Sequence, residues 1–210
     1  MNMLSLVVGA LFVNCYIYFC EDTKHCAIID PGANPDRIME LVRKNSLEPK
    51  YILLTHGHFD HIGAVKELKE LTGAKVAIHH EDKGMLTDPV LNLSASFGRQ
   101  SVQVPPDILL EDGSMVKIGN GSLKVIHTPG HTMGGVSFLG DGILFTGDTL
   151  FKGTVGRTDL PRADFSTLMK SINEKLMVLD RELVIYPGHG ASSTLYDEYS
   201  SNPFLIGEEL

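Results

Sequence analysis

The chain has 210 residues, enough for one domain with a core of its own. It is 43% apolar and 21% charged, with a formal net charge of −8 and no basic run, which excludes an obvious electrostatic footing on nucleic acid or an anionic membrane. Cys15, Cys20 and Cys26 are too few, and odd in number, for a disulfide framework; lying in apolar, strand-like text, they read as buried small hydrophobes in a reducing compartment.

The opening "MNMLSLVVGALFVNCYIYFC" is apolar, but Asn14 interrupts it and no basic residue precedes it. It alternates like strands with a turn near Gly9, so it reads as neither signal peptide nor membrane span, and the cytoplasm is the expected location. "LSLVVG", "VNCYIYFC" and "HCAIID" are three short strands. "NPDRIMELVRKN" predicts a helix with Asn34 as N-cap and Pro35 at its first position. "KYILLT" is a buried strand, "IGAVKELKELTG" one amphipathic helix closing on Gly73, and "AKVAIHH" another strand. Residues 87–106 hold three prolines and no clear period, and a loop of that length is a candidate rim or lid. "SMVKIG", "SLKVIHT", "GVSFLG" and "GILFTG" follow as strands joined by glycine-containing turns. The chain closes with a long helix in "ADFSTLMKSINEKLMVL", a strand in "ELVIYPG" and a short helix in "SSTLYDEYSS". Both halves share a plan of strands, a His/Asp-bearing loop and a helix, as mixed sheets flanked by helices would require.

The chemistry concentrates in "LLTHGHFDHIG", where His56, His58, Asp60 and His61 fall within six residues after a buried strand. In extended chain His56 and His58 point to one side, whereas Asp60 and His61 sit where the chain turns into a helix. Two adjacent metals explain this crowding better than one. The competing reading makes Asp60 the N-cap of a helix beginning near His61 and the histidines polar loop residues. Further candidates are His131 in "HTPGHTMGG", Asp148 in "FTGDTLF" and His189 in "YPGHGASS", each preceded by a glycine whose turn lets backbone approach a site. Five imidazoles and two carboxylates suit zinc, iron or manganese, and the absence of nearby cysteine argues against structural zinc. His127 reads as a core residue or one behind the site, His79 and His80 as ordinary polar residues, and His25 as a turn residue.

"THGHFDHIGA", "TPGHTMGG", "GDTLF" and "PGHG" occur in the order and approximate spacing of the metallo-β-lactamase superfamily, and the chain resembles it from "VNCYIY" to "NPFL". "GDTLFKGTVGRTDLP" and "NPFL" are most similar to the glyoxalase II-like, hydroxyacylglutathione hydrolase branch. The resemblance implies an α/β fold, an αββα sandwich of two mixed sheets with helices outside and metals at one edge, over a single domain spanning 1–210. It assigns His56, His58 and His131 to a first metal, Asp60, His61 and His189 to a second, and Asp148 to both. Asp30 in "IIDPG" becomes a partner that orients a ligand. Asp60 also helps orient a catalytic hydroxide.

Ala64 stands where the family often has a second glycine. Glyoxalase II proper carries a further C-terminal helical region for glutathione, and here the sequence ends about 20 residues after His189, too soon for it. Its glutathione-contacting lysine and tyrosine are matched here by Arg157, which could pair with a carboxylate, and by Asp159, which would not mimic tyrosine. The implied activity is hydrolysis of a small thioester by a hydroxide on two divalent ions, zinc first and iron or manganese as alternatives. The alternative of another class is a mononuclear iron persulfide dioxygenase using His56, His131 and Asp148.

Overall fold

The computed structural model describes residues 1–97 and 104–206, in which two six-stranded sheets pack face to face. The first sheet takes β1 (Asn2–Val8), β2 (Val13–Phe19), β3 (His25–Ile29), β4 (Glu48–Leu53), β5 (Lys75–His79) and β6 (Ile108–Leu110) in that spatial order. Its first three strands are antiparallel and its last four mutually parallel. β7 (Met115–Ile118), β8 (Gly121–His127), β9 (Val136–Leu139) and β10 (Ile143–Gly147) begin the second sheet. A two-stranded ribbon of β11 (Leu150–Phe151) and β12 (Thr154–Val155) follows. β13 (Val184–Pro187) and β14 (Ser193–Thr194) complete the second sheet in the order β14-β13-β10-β9-β8-β7, with β10 and β13 parallel.

Burial follows from this layering. β2 is buried along its whole length because successive side chains enter two different cores. Tyr16 and Tyr18 point between the sheets, against Phe138 and Phe145 of the second one. Cys15, Ile17 and Phe19 point outward, into a layer with Ile38, Met39 and Val42 of helix α1 (Pro35–Lys44). The outer face of the second sheet is covered by Leu168, Ile172, Leu176 and Leu195. All three cysteines are buried and free, as their apolar setting implied.

Local details depart from the sequence reading. Asn34 occupies the N-cap position of α1, but its backbone is left-handed (φ 55) and its side chain does not cap. Its Oδ1 accepts instead from the Gly9 N–H at 3.0 Å, tying the β1–β2 turn to the helix. The helix expected over "IGAVKELKELTG" is α3 (Val65–Thr72), which closes on Gly73 as expected but starts three residues later; a separate short helix, α2 (Phe59–Ile62), precedes it. The break falls at Gly63, where a Cβ would overlap the Gly32 carbonyl. The N-cap of α2 is His58, so Asp60 lies inside the first turn and does not cap it.

The long helix is α4 (Phe165–Ser171), capped by Asp164, continuing as a π-helical segment Ile172–Leu176. The short strands β6, β11, β12 and β14 are additions, and β14 takes the first residues expected in the last helix, which is α5 (Leu195–Ser201). Of the candidate rim at 87–106, residues 98–103 lie outside the described residues; 87–97 form turns against the site. Among the described residues no helix is long and apolar enough to cross a membrane.

Candidate metal centre

Five of the candidate donors sit at or just beyond strand C-termini, at one rim of the sandwich: His56 and His58 after β4, His131 after β8, Asp148 after β10 and His189 after β13. Asp60 and His61 are brought to the same rim by α2. Residues separated by up to 133 positions are thus gathered because strands β8, β10 and β13 run the same way.

Two groups of donor atoms converge. One ligand atom from each of His56, His58 and His131 lies within 4.8 Å of the others, and the same holds for Asp60, His61 and His189. His58 Nδ1 and His131 Nε2 are 3.0 Å apart, and His61 Nε2 and His189 Nε2 are 3.3 Å apart. Asp148 spans both groups: Oδ1 is 3.5 Å from His61 Nε2, and Oδ2 is 3.7 Å from His131 Nε2 and 3.6 Å from His189 Nε2. Donors bound tetrahedrally at 2.0–2.1 Å to one ion stand about 3.3 Å from each other, so these separations match ligands sharing a cation.

The histidine tautomers are set from behind. His61 Nδ1–H donates to Asp30 Oδ2 at 3.0 Å, His131 Nδ1–H to the Arg157 carbonyl at 2.8 Å, and His189 Nδ1–H to the Leu11 carbonyl at 3.0 Å. Thr55 Oγ–H donates to Asp30 Oδ2 at 2.6 Å, so the hydroxyl oxygen is left to accept from His56 Nδ1–H at 3.1 Å. Four rings therefore present an Nε2 lone pair to the rim. His56 Nε2 and Asp148 Oδ1 are buried without a hydrogen-bond partner, an arrangement that costs free energy unless a cation meets them. The donor set fits divalent ions on this observation.

Electrostatics divide the site. Burial pushes His56 well below the ordinary imidazole value and His58 down to about 3, with the neighbouring rings adding to the effect, so both are neutral donors at pH 7. At the other end burial opposes charge on His61, but Asp148, Asp30 and Asp60 outweigh it and raise His61 to about 10. Burial likewise works against the Asp60 carboxylate, and the His189 and His61 rings overcome it, keeping Asp60 ionised. Without a cation His61 therefore keeps a proton on Nε2 as well, and a cation bound at this end would displace it and take up the lone pair.

The glycines noted before the donors have different reasons. A Cβ on Gly188 would overlap Asp148 Oδ1 and stand 2.7 Å from the His61 ring, so backbone does run directly under the site. Gly130 instead lies against the Leu168 backbone of α4.

A cavity of about 410 Å³ opens above the donors, walled by Leu11, Phe59, Leu93, Phe97, Val155 and Leu160. Phe97 stacks on Phe59 with centroids 4.9 Å apart, which brings the irregular 87–97 stretch to the rim. Arg157 lines this cavity, and its guanidinium is held bidentately by Asp159 at 2.7 Å for both bonds. The C-terminal "NPFL" has a role here too. Asn202 Nδ2 donates to the Thr154 carbonyl, and the buried Glu198 accepts from the Gly153 N–H at 2.8 Å, pinning the β11–β12 wall to α5.

His127 is not in the core: it is partly exposed, stacks on His79 at 4.0 Å and bonds the Met133 carbonyl. Sequence reasoning missed Thr55, which links Asp30 to His56 although it directly precedes the first histidine. It also missed the Leu11 carbonyl, for which no side-chain signal exists.

The sequence profile of the Metallo-beta-lactamase superfamily matches residues 8–189. The chain is 36% identical over 209 residues to "Hydroxyacylglutathione hydrolase GloC" of Haemophilus influenzae, covering 98% of each. Among solved structures, "BLEG-1 B3 metallo-beta-lactamase" superposes with a TM-score of 0.93 at 35% identity, covering 98% of this chain and all of that one. "TTHA1623 in a di-iron-bound form" gives 0.86 at 36% identity, covering 96% and 100%. By profile, by sequence over its whole length, and by two mixed sheets between helices, the chain belongs to the metallo-β-lactamase superfamily.

Proposed function

We propose that this chain, as a single domain, is a binuclear hydrolase of small acyl thioesters. His56, His58 and His131 hold one divalent ion, Asp60, His61 and His189 hold the other, and Asp148 serves both. The observation that carries the reading is the pair of donor groups joined by Asp148 beneath an apolar cavity. Zinc is the first expectation; iron and manganese suit the same donors, and the di-iron form of a similar structure keeps iron in view.

Two ions held there would supply a nucleophile from water at neutral pH and polarise the acyl carbonyl. The side chains do the rest. Asp60, kept ionised, accepts a hydrogen bond from the attacking water and directs its lone pair at the acyl carbon. The carbon–oxygen bond forms first and the carbon–sulfur bond then breaks; of the two protons of the water, one passes to solvent and the other ends on the departing sulfur, giving a carboxylate and a thiol. A thiol ionises near pH 8.5, so its thiolate leaves without a strong general acid. The apolar wall receives the uncharged parts of the substrate. The similarity to the hydroxyacylglutathione hydrolase supports a thioester as the substrate class.

The test is metal analysis together with turnover of an acyl-thioester panel that includes S-lactoylglutathione. Two ions per chain and thioester hydrolysis abolished by chelation support the proposal; metal-replete protein inert on the whole panel overturns it. Turnover of a β-lactam alone would redirect it. One iron per chain with oxygen uptake on a glutathione persulfide would favour the dioxygenase.

A further inference from the structure

We propose that Asp82 is a positioning residue for one ion only, the one assigned to His56, His58 and His131; the inference rests on the binuclear reading above. Asp82 lies in the 3₁₀ segment His80–Leu86 that follows β5, and it touches none of the seven donors through a hydrogen bond. Its side chain is 1% exposed. Oδ2 accepts from Thr132 Oγ–H at 2.7 Å and Oδ1 from the Gly134 N–H at 2.8 Å. Both partners belong to the loop that carries His131.

Close packing fixes the same contact. A Cβ on Gly134 would stand 2.6 Å from the Asp82 nitrogen and 2.8 Å from its Cβ, so the loop rests directly on the segment. On the other side Gly57, between His56 and His58, packs so tightly on Met85 that a Cβ there would overlap it. Asn92 Nδ2 donates to the Met85 carbonyl at 2.7 Å, and the Asn92 carbonyl accepts the Phe59 N–H at 3.0 Å, closing the arrangement. The segment is thus wedged between the two loops whose donors, His58 and His131, approach to 3.0 Å. Each carboxyl oxygen meets a donor, Thr132 Oγ–H on one and Gly134 N–H on the other, so the position calls for two acceptor oxygens; burial raises the carboxyl, and these hydrogen bonds oppose that shift without cancelling it.

The second donor group is supported elsewhere, through Asp30 behind His61 and the Leu11 carbonyl behind His189. Loss of Asp82 therefore loosens one ion and not the other. An amide at this position offers one acceptor oxygen and turns an NH₂ on a donor.

The experiment is stepwise metal binding to metal-free Asp82→Asn and Thr132→Val proteins, by chelator competition with zinc, with cadmium NMR resolving the two ions. The Thr132→Val variant keeps the carboxylate and removes one donor, so it answers the question even where Asp82→Asn fails to fold; thermal melts of the metal-free proteins report folding. The expected result is a roughly 10–100-fold loss for one ion in Asp82→Asn and a smaller loss for the same ion in Thr132→Val, with the other ion unchanged. Equal weakening of both ions, or unchanged affinity in a folded variant, overturns the proposal. Wild-type protein binding fewer than two ions overturns the binuclear reading itself, and this inference with it.

Discussion

Replacing Asp30 by asparagine changes one atom of a buried carboxylate and forces a choice between two defects. Asp30 is 2% exposed and receives three protons: Thr55 N–H at 2.8 Å on Oδ1, and Thr55 Oγ–H at 2.6 Å and His61 Nδ1–H at 3.0 Å on Oδ2. If the new NH₂ takes the Oδ1 position, it faces the backbone N–H of Thr55, which cannot rotate. A buried donor left unsatisfied costs about 1–3 kcal/mol of stability. If the NH₂ takes the Oδ2 position, it faces His61 Nδ1, and the ring must move its proton to Nε2. The lone pair directed at His189 and Asp148 is then lost. Loss of such an outer partner weakens metal binding about 10–100-fold, or about 1.4–2.7 kcal/mol. Urea unfolding of the metal-free protein reads the first defect, and zinc competition with nitrogen-15 NMR of the His61 ring reads the second. Wild-type stability together with wild-type affinity for both ions would refute the reasoning.

Two further outcomes follow from the same structure. Asp107 ties α3 to β5 by accepting from Lys69 at 2.7 Å and from the Val76 N–H at 2.8 Å; the Lys69 hydrogen bond, more than any other cause, holds its carboxyl below the usual range. A depressed carboxyl stabilises the fold above the unfolded-state value and loses that contribution as pH falls through the folded one. Urea midpoints of wild type and Asp107→Asn should therefore differ at pH 7 and converge below about pH 4. Phe145 is fully buried between the sheets, with ring centroids 5.1 Å from Tyr16, 5.9 Å from Tyr18 and 5.8 Å from Tyr186. Phe145→Ala should cost about 3–5 kcal/mol in denaturant unfolding while leaving metal stoichiometry intact.

The residues that gather at the rim were legible because three imidazoles and a carboxylate crowded into six residues have few uses other than binding a cation. The strands were legible because a buried sheet writes continuous apolar runs, as in β2, and the helix caps less so. Asn34 shows why: the residue type suits a cap, yet a longer-range acceptor role for Gly9 wins. The glycine between α2 and α3 is required by contact with the Gly32 carbonyl, 31 residues away, which no local pattern carries.

By itself the sequence marked the residues that meet at the rim, the sheet-and-helix layering and the family. Tertiary structure decided which donors face one another and which nitrogen each ring offers. The carbonyls of Leu11 and Arg157 hold the rings of His189 and His131, and a carbonyl is supplied by any residue type, so nothing in the text marks it. Asp82 was equally silent: an isolated aspartate after a strand acquires a function only when two loops, 25 and about 50 residues away, close on it.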